Sequence, residues 1–309
     1  MDEKQVRIGI VLVTFNRLCC LMKALESYDR QSILPEYILV VNNHSTDGTE
    51  EYLNNWKTQK TVYQKIVIQL EENIGGSGGY YCGLEKAQSL EAEWIWVSDD
   101  DAYPEEKALE KLKQFVLDEQ DISTISAICG AVIEKNQCAF EHRRYIDLDN
   151  PLHPEKNSTV QDYKKEQFEI DAFSYIGTAI HKENLHKTGL PLKEYFILCD
   201  DTEHSIRLSK TGRIICVPNI KIFHYPDNAI KELSWKTYYG IRNYYDMLKR
   251  HMKPALFSIA YKKKEIAVLK YRVSPRHKEY CQIALAALKD AKNGKLGLHE
   301  VYKPGWKMK

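Results

Sequence analysis

The chain has 309 residues, 43% of them hydrophobic and 28% charged, with 44 basic against 43 acidic side chains. That composition suits a well-packed globular protein and excludes wholesale disorder, collagen-like repeats and a continuous coiled coil. A formal net charge of +1 excludes nucleic-acid binding driven by the charge of the whole molecule.

The first predicted strand is the β-branched apolar run at 7–13, broken by Thr14-Phe15-Asn16-Arg17. Leu18, Leu21, Leu25 and Tyr28 then recur at helical spacing. Residues 37–41 form a second buried strand that ends in the polar stretch 42–48, and the next helix carries Tyr52, Leu53 and Trp56 on one face. A third strand covers 65–70, and residues 73–79 read as a glycine-rich turn. Tyr81, Leu84, Ala87 and Leu90 give another helical stripe, and a fourth strand at 94–97 runs into Ser98-Asp99-Asp100-Asp101. Repeated βα units of this length predict an α/β fold with a mostly parallel sheet. In such sheets ligands bind beyond the carboxyl ends of the strands, where each polar turn falls.

The later chain is less regular. Residues 134–169 are polar, contain two prolines and have no clear period, so they read as an irregular, mobile insertion. Regularity returns at 173–180, and from 231 onward the pattern is helical, amphipathic and basic. Residues 249–278 hold ten Lys or Arg against one acid, Glu265, which suggests a surface facing something anionic. The longest apolar run, 8–15, is far below the roughly 20 residues of a membrane span. No basic start followed by an apolar core opens the chain, so the expected location is cytoplasmic. Eight cysteines without a CxxC pair read as reduced, mostly buried thiols.

Four clusters carry candidate chemistry. Three adjacent carboxylates, Asp99 to Asp101, repel one another and suit a site where a cation or water relieves the charge; the alternative is a solvated helix start. The glycines Gly75, Gly76, Gly78 and Gly79 after Asn73 let a backbone approach phosphate or sugar oxygens, although a tight loop explains them as well. Asp200, Asp201 and Glu203 together imply a base or a paired cation, against the alternative of an exposed helix start with a Glu203–Arg207 surface pair. His224, at a predicted strand end, is either a ligand or a structural histidine.

In order along the chain, Val-Thr-Phe-Asn-Arg (13–17), Val-Val-Asn-Asn-His-Ser-Thr-Asp-Gly-Thr (40–49) and Asp-Asp-Asp (99–101) resemble the family 2 glycosyltransferases of the GT-A fold. Asn-Ile-Gly-Gly-Ser-Gly-Gly (73–79), Asp-Asp-Thr-Glu (200–203) and Phe-His (223–224) are similar to its bacterial galactofuranosyltransferase and rhamnosyltransferase branch. The resemblance implies a GT-A domain at 1–230 and a helical, basic region at 231–309. It further implies that Thr14, Arg17 and Asn43 hold the nucleotide base and ribose, with Asn73, the following glycines, Asp99 and Asp100 also on the donor. Asp99, Asp101 and His224 would hold Mn²⁺ or Mg²⁺, Asp201 would be the catalytic base, and Asp200, Glu203 and Arg242 would meet the acceptor. Where the family usually has an acid, this chain has Asn42.

The activity so implied is inverting, metal-dependent transfer from a nucleotide sugar, UDP-galactofuranose first and dTDP-rhamnose second, to a glycan or lipid-linked acceptor of a bacterial surface polysaccharide. The basic segment 249–278 would lie on the anionic inner face of the membrane, or alternatively make an oligomer contact. Two rivals are a nucleotidyltransferase, which would need a basic glycine-rich loop after the first strand, and an inactive nucleotide-sugar-binding scaffold. No nucleic-acid partner is expected.

Overall fold

The computed structural model describes residues 6–226, 233–271 and 277–307. The expected boundary at 230/231, and Arg272 and Arg276 of the basic segment, lie outside them. The first half alternates strand and helix: β1 Ile8–Thr14, α1 Leu18–Asp29, β2 Tyr37–Asn42, α2 Thr49–Thr58, β3 Gln64–Gln69, α3 Gly75–Gln88 and β4 Trp94–Asp99. These strands pair in parallel in the order β3-β2-β1-β4. Strand order therefore reverses direction at β1, and a crevice opens there at the carboxyl ends.

The chain continues through β5 Ala102–Pro104, α4 Ala108–Asp118, β6 Ile125–Glu134, β7 Gln137–Cys138, β8 Arg143–Ile146, β9 Glu155–Asn157, β10 Phe168–Ile170, β11 Ala172–Phe173 and β12 Thr178–His181. Then come α5 Lys182–Thr188, α6 Asp200–Leu208, β13 Arg213–His224, α7 Trp235–His251, α8 Pro254–Tyr271 and α9 Lys278–Asn293. β12 inserts antiparallel between β4 and β6, and β13 adds parallel to β6. The result is a mixed, mostly parallel central sheet extended by C-terminal helices, the architecture that the sequence resemblance implies. Two apolar cores cover its faces. One holds Trp56, Trp96 and Tyr28 with α1, α2 and α4, and the other holds Leu84, Phe173 and Tyr175 with α3.

Three expectations are corrected. The glycine-rich turn is shorter than predicted, because α3 already begins at Gly75. Segment 134–169 is not irregular: β8 pairs with β9 and β11 in a small antiparallel sheet. That sheet is held by the fully buried Arg143, whose guanidinium donates to the carbonyls of Gly130, His142 and Ile176. β8 and β9 are only four and three residues long and mostly polar, so they carry no hydrophobic period, which is why the pattern hid them. The eight cysteines are unpaired, but only Cys129, Cys216 and Cys281 are buried.

The glycines of α3 divide by cause. A Cβ at Gly83 would lie 2.5 Å from Val11 Cγ1, and one at Gly79 would lie 2.5 Å from Val13 Cγ1, so both let the helix press onto β1. At Gly75 the left-handed φ of 78° and the carbonyl of Phe196 exclude a side chain. Gly76 meets nothing within 4 Å. Gly83→Ala is therefore expected to lower the unfolding free energy by about 1–3 kcal/mol. Gly76→Ala should leave it unchanged or raise it by up to about 1 kcal/mol, and urea denaturation curves of both variants measure the difference.

Candidate active site

A cleft of about 700 Å³ opens where β1, β2 and β4 end. Register brings their last residues side by side, Thr14 opposite Asn42 and Val13 opposite Asp99. The floor carries Asp99, Asp100 and Asp101. Thr14 Oγ1 donates to Asp100 Oδ2 at 2.6 Å, and Arg17 reaches Asp100 Oδ1 at 3.2 Å and Asp101 Oδ2 at 2.7 Å. Tyr80 donates its hydroxyl to Asp99 Oδ1 at 2.5 Å. Burial, with Asp101 close by, raises the Asp99 carboxyl to about 6, and burial raises Asp100 to about 7 against the opposing pull of Thr14 and Arg17. Burial would also raise Asp101, but His224 and Arg17 outweigh it and hold that carboxyl below its usual value. One acid of the triplet thus stays ionised while its neighbours resist ionisation.

The floor fits a divalent cation. Ligand atoms of Asp99, Asp101 and His224 lie within 4.8 Å of one another. Asp101 Oδ1 is buried and without a hydrogen-bond partner, 3.4 Å from His224 Nε2. A buried carboxylate oxygen left unpaired beside a ring nitrogen is costly unless positive charge sits between them. A set of oxygen donors and one imidazole suits Mn²⁺ or Mg²⁺.

The opposite wall carries Asp200 and Asp201 in the first turn of α6. Asp201 Oδ1 accepts from the Thr202 amide at 2.6 Å and the Thr202 hydroxyl at 3.0 Å, which leaves Oδ2 for a ligand. Burial raises both carboxyls, Asp200 further because the charge of Asp201 adds to it, while Arg144 opposes the rise at Asp201. The approach to this pair is strained: Phe196, Leu198 and Cys199 all adopt left-handed φ, at 66°, 68° and 65°. Asn243 holds the strained turn, its Nδ2 bonding the carbonyls of Tyr195, Ile197 and Leu198 at 2.9 Å each. Phe196, Trp235 and Pro304 complete an apolar wall.

Thr14, Arg17, Asn43, Asn73, Gly75, Gly76, Asp99, Asp100, Asp101, Asp200 and Asp201 all line the cleft. Asn43 clamps the turn before α3, accepting from the Ile74 amide at 3.0 Å and donating to the Gly75 carbonyl at 2.9 Å, so only a lone pair of Oδ1 is left for a base. Gly78 and Gly79 do not line it; they accommodate Ile74 and Val13. Glu203 is also elsewhere, buried in an ion network with Arg207 at 2.8 Å and His251 at 3.1 Å. Arg242 is spent on the carbonyls of Glu194, Tyr195 and Gly297 behind the strained turn. Sequence reasoning missed Tyr80, Tyr175, Trp235 and Pro304 in the cleft and Glu134 behind His224. For Glu134 alone there was a signal, a carboxylate closing the apolar run at 125–133.

A carboxyl raised in the folded state contributes stability that is full below its ordinary value of 3.8 and is lost as pH rises through the folded value. The metal-free chain should therefore lose stability as pH rises from about 4 to about 7 through Asp99 and Asp100. In EDTA at pH 8, Asp99→Asn is expected to raise the melting temperature by roughly 2–4 °C, equivalent to about 1 kcal/mol in a chain of this size. Calorimetric melts across this pH range measure both effects.

The sequence profile of glycosyl transferase family 2 matches residues 9–185, more than half of the chain. The chain is similar to galactofuranosyltransferase GlfT1 of Mycolicibacterium smegmatis, 23% identical over 205 residues, a match spanning 65% of this chain and 65% of that relative's length. Among solved structures it is similar to GalNAc-T7 with UDP, GalNAc and Mn2+, at a TM-score of 0.66 and 16% identity over 94% of this chain and 57% of the other. It is also similar to the mannosyltransferase PcManGT of Pyrobaculum calidifontis in complex with GDP-Man and Mn2+, at 0.59 and 14% identity over 94% and 88%. These structural likenesses give the fold, which is GT-A. With its family profile, its fold and its acid-lined cleft at the strand ends, the chain belongs to glycosyl transferase family 2.

Proposed function

We propose that the chain is an inverting, divalent-metal-dependent hexosyltransferase. Its donor is a UDP- or dTDP-sugar, galactofuranose in first place and rhamnose in second, and its acceptor a glycan or lipid-linked oligosaccharide of a bacterial surface polysaccharide. The observation that carries this reading is one cleft holding an unpaired Asp101 oxygen beside His224 on one side and the Asp200–Asp201 pair on the other. The similarity to a galactofuranosyltransferase supports the choice of sugar. We assign residues 1–230 to donor binding and catalysis and 231–309 to acceptor and surface contacts.

In this reading Thr14, Arg17 and Asn43 hold the nucleoside, and Asn73, Gly75 and Gly76 lie along the diphosphate and sugar. A divalent ion bound by Asp99, Asp101 and His224 would offset the charge that develops on the departing diphosphate. Asp201 accepts the proton of the acceptor hydroxyl, and neighbouring Asp200 raises its basicity. The new O–C bond forms at the anomeric carbon on the face opposite the diphosphate. The old C–O bond breaks with its electron pair leaving on phosphate, and the configuration inverts.

The test is thermal unfolding with UDP, dTDP, GDP and CDP, each with Mn²⁺ or EDTA. A nucleotide at a hundred times its dissociation constant adds about 2.7 kcal/mol. That gain should need the metal, vanish in Asp101→Ala and survive in Asp201→Asn, which loses transfer by about 10²–10⁴-fold. If no nucleotide shifts the melt, the chain is not a nucleotide-sugar transferase.

Among the described residues no helix is long and apolar enough to cross a membrane. We propose instead that α8 rests on an anionic leaflet. Its outward side exposes Ile259, Ile266, Leu269 and Tyr271 by 43–53% between Lys262, Lys263 and Lys270. Each lysine contributes on the order of 1 kcal/mol at such a surface. Replacing all three by Gln should weaken binding to anionic vesicles by about a hundredfold and leave binding to neutral vesicles unchanged, as read by co-sedimentation.

A further inference from the structure

On the side of His224 away from Asp101 lies a polar chain to which the proposed donor and acceptor contacts assign no role, although its last member, Ser174, also lines the cleft. Glu134 ends β6, His142 ends the short 3-10 turn Phe140–His142, and Ser174 lies between β11 and β12. Glu134 Oε1 is 2.7 Å from His224 Nδ1 and 3.0 Å from His142 Nε2, and His142 Nδ1 is 2.8 Å from Ser174 Oγ. The two rings meet edge-on with centroids 5.4 Å apart. We infer that Glu134 is a positioning residue: it fixes His224 as the Nδ1–H tautomer, so that the Nε2 lone pair is presented to a cation shared with Asp101, and His142 and Ser174 hold Glu134 in place.

The reasoning is a count of protons. An ionised carboxylate only accepts, so both ring nitrogens facing Glu134 carry hydrogen. His142, donating from Nε2, then offers a lone pair on Nδ1, which the Ser174 hydroxyl satisfies at 2.8 Å. When the ring is neutral, as a cation ligand must be, His224 donating from Nδ1 has only a lone pair on Nε2, and that nitrogen is 3.4 Å from Asp101 Oδ1. Two acceptors left opposite each other define a position for positive charge. The second face of the imidazole thus sets what the first face can bind, as outer carboxylates do for ligating histidines. Glu134, His142 and His224 also lie close enough together to ligate a cation themselves. However, distances of 2.7 and 3.0 Å to a single oxygen are those of hydrogen bonds, and an ion there would break both.

The inference rests on the reading of Asp99, Asp101 and His224 as a cation site, and the experiment separates the two. Long-range ¹H–¹⁵N spectra of the histidine rings, taken on the full chain in EDTA at pH 9, report the tautomer without any metal. His224 is expected as Nδ1–H in the parent protein and in Glu134→Gln, whose side-chain oxygen accepts the same bonds, and as Nε2–H in Glu134→Ala. In parallel, Mn²⁺ is titrated and the free ion followed by electron paramagnetic resonance. One ion should bind, with a dissociation constant about 10- to 100-fold weaker in Glu134→Ala and largely restored in Glu134→Gln. If Glu134→Ala does not fold, His142→Ala, one bond further out, should show the same tautomer change and a smaller loss. An unchanged tautomer with unchanged Mn²⁺ affinity overturns the inference, as does binding of two ions in the parent and one in Glu134→Ala. If the tautomer behaves as expected while the parent binds no Mn²⁺, the cation reading fails instead.

Discussion

Negative charge crowded into one cleft is the constraint on which the rest of the molecule depends. Asp99, Asp100, Asp101, Asp200 and Asp201 line the same cavity, and a folded chain tolerates that density only with compensation. Arg17 bridges Asp100 and Asp101, Tyr80 donates to Asp99, Thr14 to Asp100, and Arg144 opposes the charge of Asp201. Among the described residues these partners leave one carboxylate oxygen of the cleft buried and unpaired, Asp101 Oδ1 beside His224. A buried, uncompensated carboxylate oxygen of this kind lowers the stability of the fold that holds it.

The scaffold creates this crowding through two close approaches. Glycines 79 and 83 let α3 press onto β1, which brings Tyr80 within hydrogen-bonding reach of Asp99. On the other side, the turn at 196–199 enters α6 through three left-handed residues and delivers Asp200 and Asp201 to the opposite wall. Such a turn persists only when its surroundings over-determine it. Here Asn243 of α7 ties down the carbonyls of Ile197 and Leu198, while Arg242 ties down Glu194 and Tyr195 just before the turn and Gly297 of the C-terminal segment. Helices beyond the central sheet therefore shape this wall of the cleft without contributing a carboxylate to it.

Much of this was legible in the chain itself. The strands at 7–13, 37–41 and 94–97 are buried on both faces, and their apolar runs announce that directly, while the strand at 65–70 is the half-exposed end of the sheet. The Asp99–Asp101 triplet and Asp200–Asp201 were legible as concentrations of charge, because adjacent carboxylates repel and require relief wherever they fold. Glu203 and Arg242 were misleading for a related reason. Both are charged residues beside a motif, and nothing local reveals that one turns into an ion network with Arg207 and His251 and the other into backbone carbonyls. The segment 134–169 was illegible because its small sheet is polar and is pinned by Arg143 to carbonyls up to 33 residues away.

By itself, then, the sequence determined the βα rhythm, the sites where strands end and the concentration of acid at two of them, since hydrophobic period and charge density are properties of neighbours in the chain. The tertiary structure decided which of those acids share a cleft, which glycines face a ligand and which a helix contact, and that Glu134 stands behind His224. Those facts depend on distances between residues 8 to more than 100 positions apart. Such distances are fixed by strand order and packing, and no local pattern encodes them.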